Sequence, residues 1–287
     1  MHGIIIGVDE SDGAAAALRW GFAHASRRGV PATAIMAWSS RDQHRLDPSH
    51  PCHVHYGSED ARRDLEAIVQ RALGDDASAV HRRTTCEGPA AALIEASDGA
   101  SLVVVGARGI GGFKGLLVGS VSREVLHRSR APVAVVREAV LEPDGPIVVG
   151  IDGSDDSRRA LAWALGEARA TGRRLVALHA WHISAAGDVV PTAHLSGDAL
   201  HAGADLLLER ELAPADTTGV VVERRAEEQR PAAALVDASA TASLIVVGSR
   251  GHRPLTGLLL GSVSDQVAHH AHCAVVVVPP SSHDASR

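Results

Sequence analysis

The segment VVVGARGIGGFKGLLVGSVSREVL, residues 103–126, joins an apolar run to a glycine-rich stretch that ends in Gly-Ser-Val-Ser. The segment IVVGSRGHRPLTGLLLGSVSDQVA, residues 245–268, has the same form 142 positions later. Each copy contains Gly-x-x-Gly, nine further residues and Gly-Ser. A continuous, β-branched apolar run is typical of a strand buried on both faces. Each segment therefore predicts a buried strand, a glycine loop and the start of a helix.

The repeat extends beyond these segments to most of the 287 residues. Residues 4–29 align with 147–172, and residues 88–106 align with 230–248. Between the copies lies REAVLEPDGP, whose acidic residues, proline and glycine are typical of a linker. The predicted organisation is a first domain at 1–137, a linker at 138–145 and a second domain at 146–280.

Each half of the chain alternates predicted strands and helices. In the first half we predict strands near 4–9, 32–38, 79–86, 102–106 and 132–137, and helices near 12–28, 59–74, 89–98 and 119–130. Such alternation is typical of right-handed β-α-β units that build a parallel sheet with helices on both faces. The predicted class is α/β, with two tandem, doubly wound, five-stranded parallel-sheet domains of flavodoxin-like or Rossmann-like form.

Composition restricts the cellular setting and the partners. Hydrophobic residues make up 45% of the chain and charged residues 22%, as in globular proteins. The net charge of −6 and the lack of a basic run argue against nucleic-acid binding. No apolar run has the length of a membrane span, and no signal peptide is recognisable. Three unpatterned cysteines favour a reduced setting, so we expect a cytoplasmic protein with neither nucleic acid nor membrane as partner.

In each half, the first predicted strand ends in an aspartate and the fourth ends in a glycine. These ends hold Asp9 and Gly106 in the first half and Asp152 and Gly248 in the second. In an open parallel sheet, ligands bind beyond the carboxyl ends of the strands, where the strand order reverses. We therefore predict that the two strand ends are neighbours. The aspartates could accept a ribose hydroxyl, the adenine edge or a metal-bound water.

The glycine loop itself is typical of a phosphate site. Glycine permits positive φ and lets a ligand approach backbone N–H groups. The helix after Gly119 or Gly261 begins with N–H groups that lack intrahelical partners, which suits a phosphate. Arg108 and Arg250 occupy equivalent loop positions and could add positive charge. The alternative is that the glycines only form a tight connection from strand to helix.

Two well-known phosphate motifs do not fit. The Walker motif requires Gly-Lys-Ser or Gly-Lys-Thr, whereas Lys114 is followed by Gly115. The dinucleotide fingerprint G-x-G-x-x-G does not follow the first strand of either half.

The pattern G-x2-G-x9-G-[ST], the openings VGVDES and VGIDGS and the closing strand APVAVV resemble the universal stress protein family. The tandem form resembles that of actinobacterial members, and the resemblance covers nearly the whole chain. It implies a five-stranded parallel α/β fold. One subclass of the family binds ATP through this motif, often with magnesium. Because both halves carry the complete motif, the resemblance implies two ATP sites.

The same resemblance implies particular binding residues. Gly7 and Asp9 would contact the adenosine, the backbone near Ala37 would lie against adenine, and the loop would hold ribose and phosphates. The implied loop residues are Gly106, Arg108, Gly109, Gly119, Ser120 and Val121. The matching residues of the second half are Gly150, Asp152, Ala180, Gly248, Arg250, Gly251, Gly261, Ser262 and Val263.

The two halves differ at three relevant positions. Glu10 stands where the second half has Gly153, and a carboxylate near phosphates weakens their binding. We therefore expect the first site to be weaker or more dependent on metal. Pro254 replaces Gly112 in the second loop, and Ala274 replaces Pro132 before the last strand.

No catalytic residues are predicted. The chain lacks a nucleophile elbow, an H-E-x-x-H motif, and the H-x-G-H and S-G-G-x-D-S motifs of adenylyl-transferring relatives of the fold. The first hypothesis is an ATP-dependent regulatory binding module of the stress response. A slow magnesium-dependent ATPase is an alternative. A flavodoxin-like electron carrier is a third hypothesis, for which only Trp38 and Trp181 could stack on a flavin.

The sequence also offers two candidate metal-binding stretches and two strands that could pair in an assembly. The stretches HPCHVHY (50–56) and HHAHC (269–273) are rich in ligating side chains, but neither matches a zinc motif or recurs between the halves. In the resembling family the last strand commonly pairs across a two-fold axis. Residues 132–137 and 273–278 could pair within the chain as a pseudo-dimer, or between chains in a homodimer. A regulatory protein partner is expected, but the sequence does not name it.

Overall fold

The protein is described from a computed structural model that covers residues 3–38, 57–109, 118–138, 144–182, 197–251 and 260–280. Two compact units divide the chain, unit 1 at Met1–Glu138 and unit 2 at Ala139–Arg287. Each unit contains five strands.

Unit 1 alternates strands and helices along the chain. Its elements are β1 (Ile4–Gly7), α1 (Asp12–Arg28), β2 (Ala32–Ala37), α2 (Ser58–Leu73), a 3-10 turn (Gly74–Ala79), β3 (Val80–Thr85), α3 (Pro89–Ala96), β4 (Leu102–Gly106), α4 (Ser120–Arg128) and β5 (Val133–Val136). The strand order is β3-β2-β1-β4-β5, and every pair is parallel. The order therefore reverses between β1 and β4.

Unit 2 has the same architecture. Its elements are β6 (Ile147–Gly150), α5 (Asp155–Thr171), β7 (Leu175–Trp181), α6 (Gly197–Leu212), β8 (Val222–Glu228), α7 (Pro231–Ala238), β9 (Leu244–Gly248), α8 (Ser262–His270) and β10 (Ala274–Val278). The strands follow the order β10-β9-β6-β7-β8, again with parallel pairs. The predicted α/β class with parallel sheets is thereby confirmed.

The central strands are buried because helices cover both faces of each sheet. Ile4 and Ile6 of β1 are fully buried, as are Val103 and Val104 of β4. Helix α1 packs closely on this surface, since a β-carbon added at Gly21 would lie 2.8 Å from Cδ1 of Ile6. A core of small aliphatic residues agrees with the low aromatic content.

The helices begin and end at recognisable caps. Ser11 and Ser154 accept a hydrogen bond from a first-turn N–H of α1 and α5, and Gly29 and Gly172 end these helices in the left-handed conformation. Most element boundaries agree with prediction within two residues. Strand β1 ends at Gly7 instead of residue 9, because the chain turns immediately towards the cap of α1. None of the helices in the described ranges is long and apolar enough to cross a membrane.

An ion pair between an exposed arginine and a buried glutamate joins α5 to α6 in unit 2. The side chain of Glu211 is 3% exposed and accepts hydrogen bonds from Arg158, at 2.7 Å from Nε and 3.1 Å from Nη2. Arg210 donates a further hydrogen bond to the same carboxylate. These hydrogen bonds, that of Arg158 first, lower the pKa of the Glu211 carboxyl, against the opposing effect of burial. The ion pair is therefore a pH-dependent contribution to stability.

Replacing Glu211 by glutamine is expected to lower the free energy of unfolding of unit 2 by about 2 kcal/mol at pH 7, because the charged hydrogen bonds are lost. The folded-state pKa lies below the unfolded value of about 4.3, so this stabilisation is present above that value and is lost as pH falls through the folded pKa. Urea titrations between pH 7 and pH 3 measure it. The gap between wild type and variant should close at low pH, and a pH-independent gap would contradict the assignment. Glu124→Gln, at the exposed pair with Arg128, is the control and should change nothing measurable.

Candidate functional site

The candidate site of unit 1 lies where β1 and β4 end side by side. Strand β1 pairs in register with β4, with Ile4 opposite Leu102. Strand β6 pairs with β9 in the same way, with Ile147 opposite Leu244. The prediction that the first and fourth strands are neighbours is confirmed. Both sites lie at the carboxyl edge of a parallel sheet, at the reversal of strand order.

An aspartate contacts the second glycine of the loop in each unit. A β-carbon added at Gly109 would overlap the carboxylate of Asp9, and one added at Gly251 would lie 2.7 Å from Oδ2 of Asp152. Each pair consists of a residue after the first strand and a residue after the fourth, which are far apart in sequence. The structure thus brings together the predicted acidic and glycine residues twice.

A serine holds each aspartate in place. The other carboxylate oxygen of Asp9 accepts hydrogen bonds from the backbone N–H of Ser11 at 3.0 Å and from its hydroxyl at 2.5 Å. Ser154 makes the same two bonds to Asp152, at 3.0 and 2.5 Å. The same serines cap α1 and α5. One serine therefore fixes both the carboxylate and the helix that follows it.

The base of each glycine loop is closed by hydrogen bonds. The N–H of Gly119 donates to the carbonyl of Ala107 at 2.7 Å, and the N–H of Gly261 donates to the carbonyl of Ser249 at 2.7 Å. Ser122 adds a bond from its hydroxyl to the carbonyl of Gly106 at 2.7 Å. The tips at 110–117 and 252–259 lie outside the described residues, and so do the differing positions Gly112 and Pro254. We call the described ends of each loop its stem, residues 107–109 with 118–119 in unit 1 and 249–251 with 260–261 in unit 2. In each stem the last glycine lies beside the residues that begin the loop.

The helix after each loop begins without a side-chain cap. Gly119 and Gly261 are the N-caps of α4 and α8, and neither can provide a side-chain hydrogen bond to the first turn. Ser120 and Ser262 follow them and are exposed. Exposed N–H groups at the positive end of a helix dipole are a suitable surface for a phosphate.

The described loop glycines do not serve a positive φ, and four of them, Gly106, Gly109, Gly248 and Gly251, are sites of close approach. None of the six described loop glycines, Gly106, Gly109, Gly119, Gly248, Gly251 and Gly261, has a positive φ. A β-carbon at Gly106 would lie 2.6 Å from the carbonyl carbon of Gly13. The explanation by positive φ was therefore wrong for these residues. Close packing of the loop stem against the start of α1 explains Gly106 instead.

Other predicted residues have different surroundings. Gly7 and Gly150 face leucines of α3 and α7, since an added β-carbon would lie 2.8 and 3.2 Å from Leu93 and Leu235. Helix packing thus explains both glycines without a ligand. Ala37 and Ala180 lie at or next to the ends of β2 and β7. One strand, β1 or β6, separates each of them from the strand that carries the loop. Arg108 is exposed and Arg250 half-buried at the loop stems. The part of these residues in binding stays a prediction.

Three site residues of unit 2 were missed by the sequence analysis. Asp156 bonds to the loop stem, Arg158 bonds to the turn after β6, and Nδ1 of His179 lies 2.7 Å from the carbonyl oxygen of Ile151. Asp156 and Arg158 align with Gly13 and Ala15. A search for features that recur in both halves passes over such residues, because they occur in only one copy.

The histidine-rich stretches provide no metal centre in the described ranges. The first, residues 50–56, lies outside the described residues. In the second, Nδ1 of His269 lies 2.7 Å from the carbonyl oxygen of Asp265. The described residues contain no group of three or more histidine, cysteine, aspartate or glutamate side chains placed to hold a metal ion.

Comparison with known proteins identifies the class. The model of the universal stress protein family matches residues 1–137 and 145–279. A universal stress protein of Mycolicibacterium smegmatis is 36% identical over 295 residues, which cover 97% of this chain and 97% of that protein. Universal stress protein Rv2005c of Mycobacterium tuberculosis is 36% identical over 293 residues, which cover 98% of each. A universal stress protein structure from Archaeoglobus fulgidus has a TM-score of 0.68 at 23% identity, over 98% of this chain and 97% of that one.

Fold and site together define a tandem α/β protein with one strand-loop-helix site in each unit. The structural likeness at 23% identity supports the fold alone. Because the family model matches both units and two relatives are 36% identical along nearly the full length, the chain belongs to the universal stress protein family.

Proposed function

We propose that each unit binds one ATP, with magnesium, and that the chain is a nucleotide-dependent regulatory module of the stress response. The observation that carries this proposal is the contact of an aspartate with a loop glycine, made once in each unit at the reversal of strand order. The uncapped helix beside the contact supplies donors for an anion. A site with a carboxylate at one end and N–H donors at the other suits a nucleotide.

The chemistry of the two ends orients the ligand. A carboxylate such as that of Asp9 accepts hydrogen bonds from ribose hydroxyls and repels phosphates. The start of α4, with Ser120, attracts phosphates and supplies N–H and hydroxyl donors. We therefore expect the nucleoside at β1 and the phosphates at α4, with Arg108 at the loop stem adding positive charge. The same orientation is proposed in unit 2.

The described residues suit magnesium that arrives with the nucleotide. Mg²⁺ is commonly bound through substrate phosphates, waters and one or two protein oxygens, and so needs no dedicated cage of carboxylates. Asp9 and Asp152, at the nucleoside end, would accept a hydrogen bond from a water bound to the ion. When bound, the ion would neutralise part of the phosphate charge.

The direct test is the nucleotide content of the purified protein. We expect about two ATP per chain, either in nucleotide released by denaturation or after titration with MgATP, because the site recurs in each unit. Mass spectrometry and absorbance identify and count the nucleotide, and calorimetry measures the affinity. Release of ADP would favour the slow ATPase. The absence of nucleotide together with no binding in the titration would show that the loops only shape the fold.

Assembly and partners stay predictions. Strands β5 and β10 lie at one end of the strand order of their own units, as expected for the last strand of this fold. We propose that these strands are used in pairing, within the chain or between two chains. A regulatory protein would then recognise the surface that depends on nucleotide.

A further inference from the structure

The turn after the first strand differs between the two units. Gly153 has a φ of +84°, which is strained for other residues, whereas Glu10 occupies the equivalent position and is not among residues with positive φ. The carbonyl of Gly153 accepts a hydrogen bond at 2.9 Å from Nη2 of Arg158. Since this turn carries Asp152, its backbone conformation affects the proposed nucleotide contact.

Asp156 anchors the loop stem of unit 2. Its Oδ2 accepts hydrogen bonds from the hydroxyl of Ser249 at 2.9 Å and from the N–H of Arg250 at 3.0 Å, and its other oxygen pairs with Arg159. The residue is 8% exposed. Unit 1 has Gly13 at this position, which has no side chain to bind the stem.

Arg158 connects the turn to the rest of unit 2. The same guanidinium that donates to Gly153 also bonds to Glu211 on α6 and to Asp155 in the first turn of α5. The Glu211 side chain is 3% exposed, so this end of the connection is buried. The equivalent residue of unit 1 is Ala15, which can make no such bonds.

The turn of unit 1 is more negatively charged than that of unit 2, which also favours nucleotide binding at unit 2. Residues 9–16 contain three carboxylates and no arginine, for a net charge of −3, whereas residues 152–159 contain three carboxylates and two arginines, for a net charge of −1. The ion pairs of Arg158 with Asp155 and of Arg159 with Asp156 neutralise two of the carboxylates of unit 2. A less negative surface opposes the approach of phosphates less.

We propose that Asp156 and Arg158 are positioning residues that hold the nucleotide site of unit 2 in its binding geometry, and that the two sites are therefore not equivalent. This inference rests on the proposed ATP function. The site of unit 2 needs less ordering on binding, because its turn and its loop stem are already tied to α5 and α6. ATP accordingly fills unit 2 first and unit 1 at higher concentration.

Single-site variants of the full chain test the inference. Gly109→Ala leaves the site of unit 2 to be titrated with MgATP, and Gly251→Ala leaves that of unit 1. We expect the unit 2 site to bind about tenfold more tightly. In the Gly109→Ala background, Asp156→Gly or Arg158→Ala should each weaken ATP binding at unit 2 by about five- to tenfold. Each change gives unit 2 the residue found at the equivalent position of unit 1. Arg169→Ala is the matched control. Arg169 lies further along α5, pairs with Asp216 and does not reach the turn.

Two further measurements separate positioning from charge and from misfolding. Asp156→Asn keeps an acceptor oxygen and should restore most of the affinity that Asp156→Gly loses. Hydrogen exchange of the nucleotide-free protein should show the amide of Arg250 more protected than that of Arg108, a comparison that needs no variant to fold.

Each outcome decides between the two proposals. Equal affinities of the two sites, or equal exchange of the two amides, would overturn the inference and leave the ATP function standing. Unchanged ATP binding in folded Asp156→Gly and Arg158→Ala proteins would do the same. No binding of MgATP by the wild type at either site would overturn the proposed function and the inference together.

Discussion

Replacing Gly109 and Gly251 together by alanine is expected to lower the ATP affinity of both sites by about 100-fold, or about 2.7 kcal/mol per site. The added β-carbon would overlap the carboxylate of Asp9 in unit 1 and lie 2.7 Å from Oδ2 of Asp152 in unit 2. Either the carboxylate leaves its bonds to the serine, or the loop stem moves. Both changes displace a group that we propose to contact nucleotide.

The measurement is calorimetric titration of the double variant with MgATP, with thermal unfolding recorded alongside. The fold should persist, since the affected carboxylates are only half-buried and can rotate towards water. Gly203→Ala is the control, because a β-carbon at this position of α6 meets no atom within 4 Å. Two sites of wild-type affinity in the double variant would mean that these glycines do not adjoin the nucleotide.

Alanine at Gly106 or Gly248 is expected to destabilise the respective unit by about 2–3 kcal/mol. At Gly106 a β-carbon would lie 2.6 Å from the carbonyl carbon and 2.7 Å from the carbonyl oxygen of Gly13. At Gly248 it would lie 2.7 Å from the carbonyl carbon of Asp156. In both cases the obstacle is backbone, which cannot rotate away, so the strand end and the helix start must separate.

Chemical denaturation of each variant measures this loss. Gly166→Ala is the contrasting variant, because its β-carbon would meet nothing within 4 Å inside α5, and alanine is the better helix former. That change should stabilise unit 2 by about 1 kcal/mol. Wild-type stability of the Gly106→Ala protein would show that β4 and α1 do not approach as closely at Gly13 as the distances above indicate.

The fold was predictable because its signals are local and repeated. Buried parallel strands such as β4 are continuous apolar runs, and the helices between them begin at capping serines and end at glycines. The repeat made the assignment of strands and helices firmer, because both copies show the same pattern. Strand β1 ends two residues earlier than predicted because Asp9 bonds to Ser11 and turns the chain early.

Part of the candidate site was also predictable. Motif spacing and the rule for open parallel sheets together predicted that the first and fourth strands are neighbours, as the pairing of β1 with β4 confirms. The physical reason for the glycines was not predictable. Close approach depends on the distance between β4 and α1, which no local pattern encodes.

By itself the sequence determined the tandem α/β fold, the two glycine loops and the place of each loop at the end of a strand. Only the tertiary structure showed that the two sites are supported differently. Asp156 reaches a loop stem 94 residues away, and Arg158 reaches Glu211, 53 residues away. Such contacts depend on how helices pack on the sheet and on each other, and packing becomes visible only when distant parts of the chain are brought together.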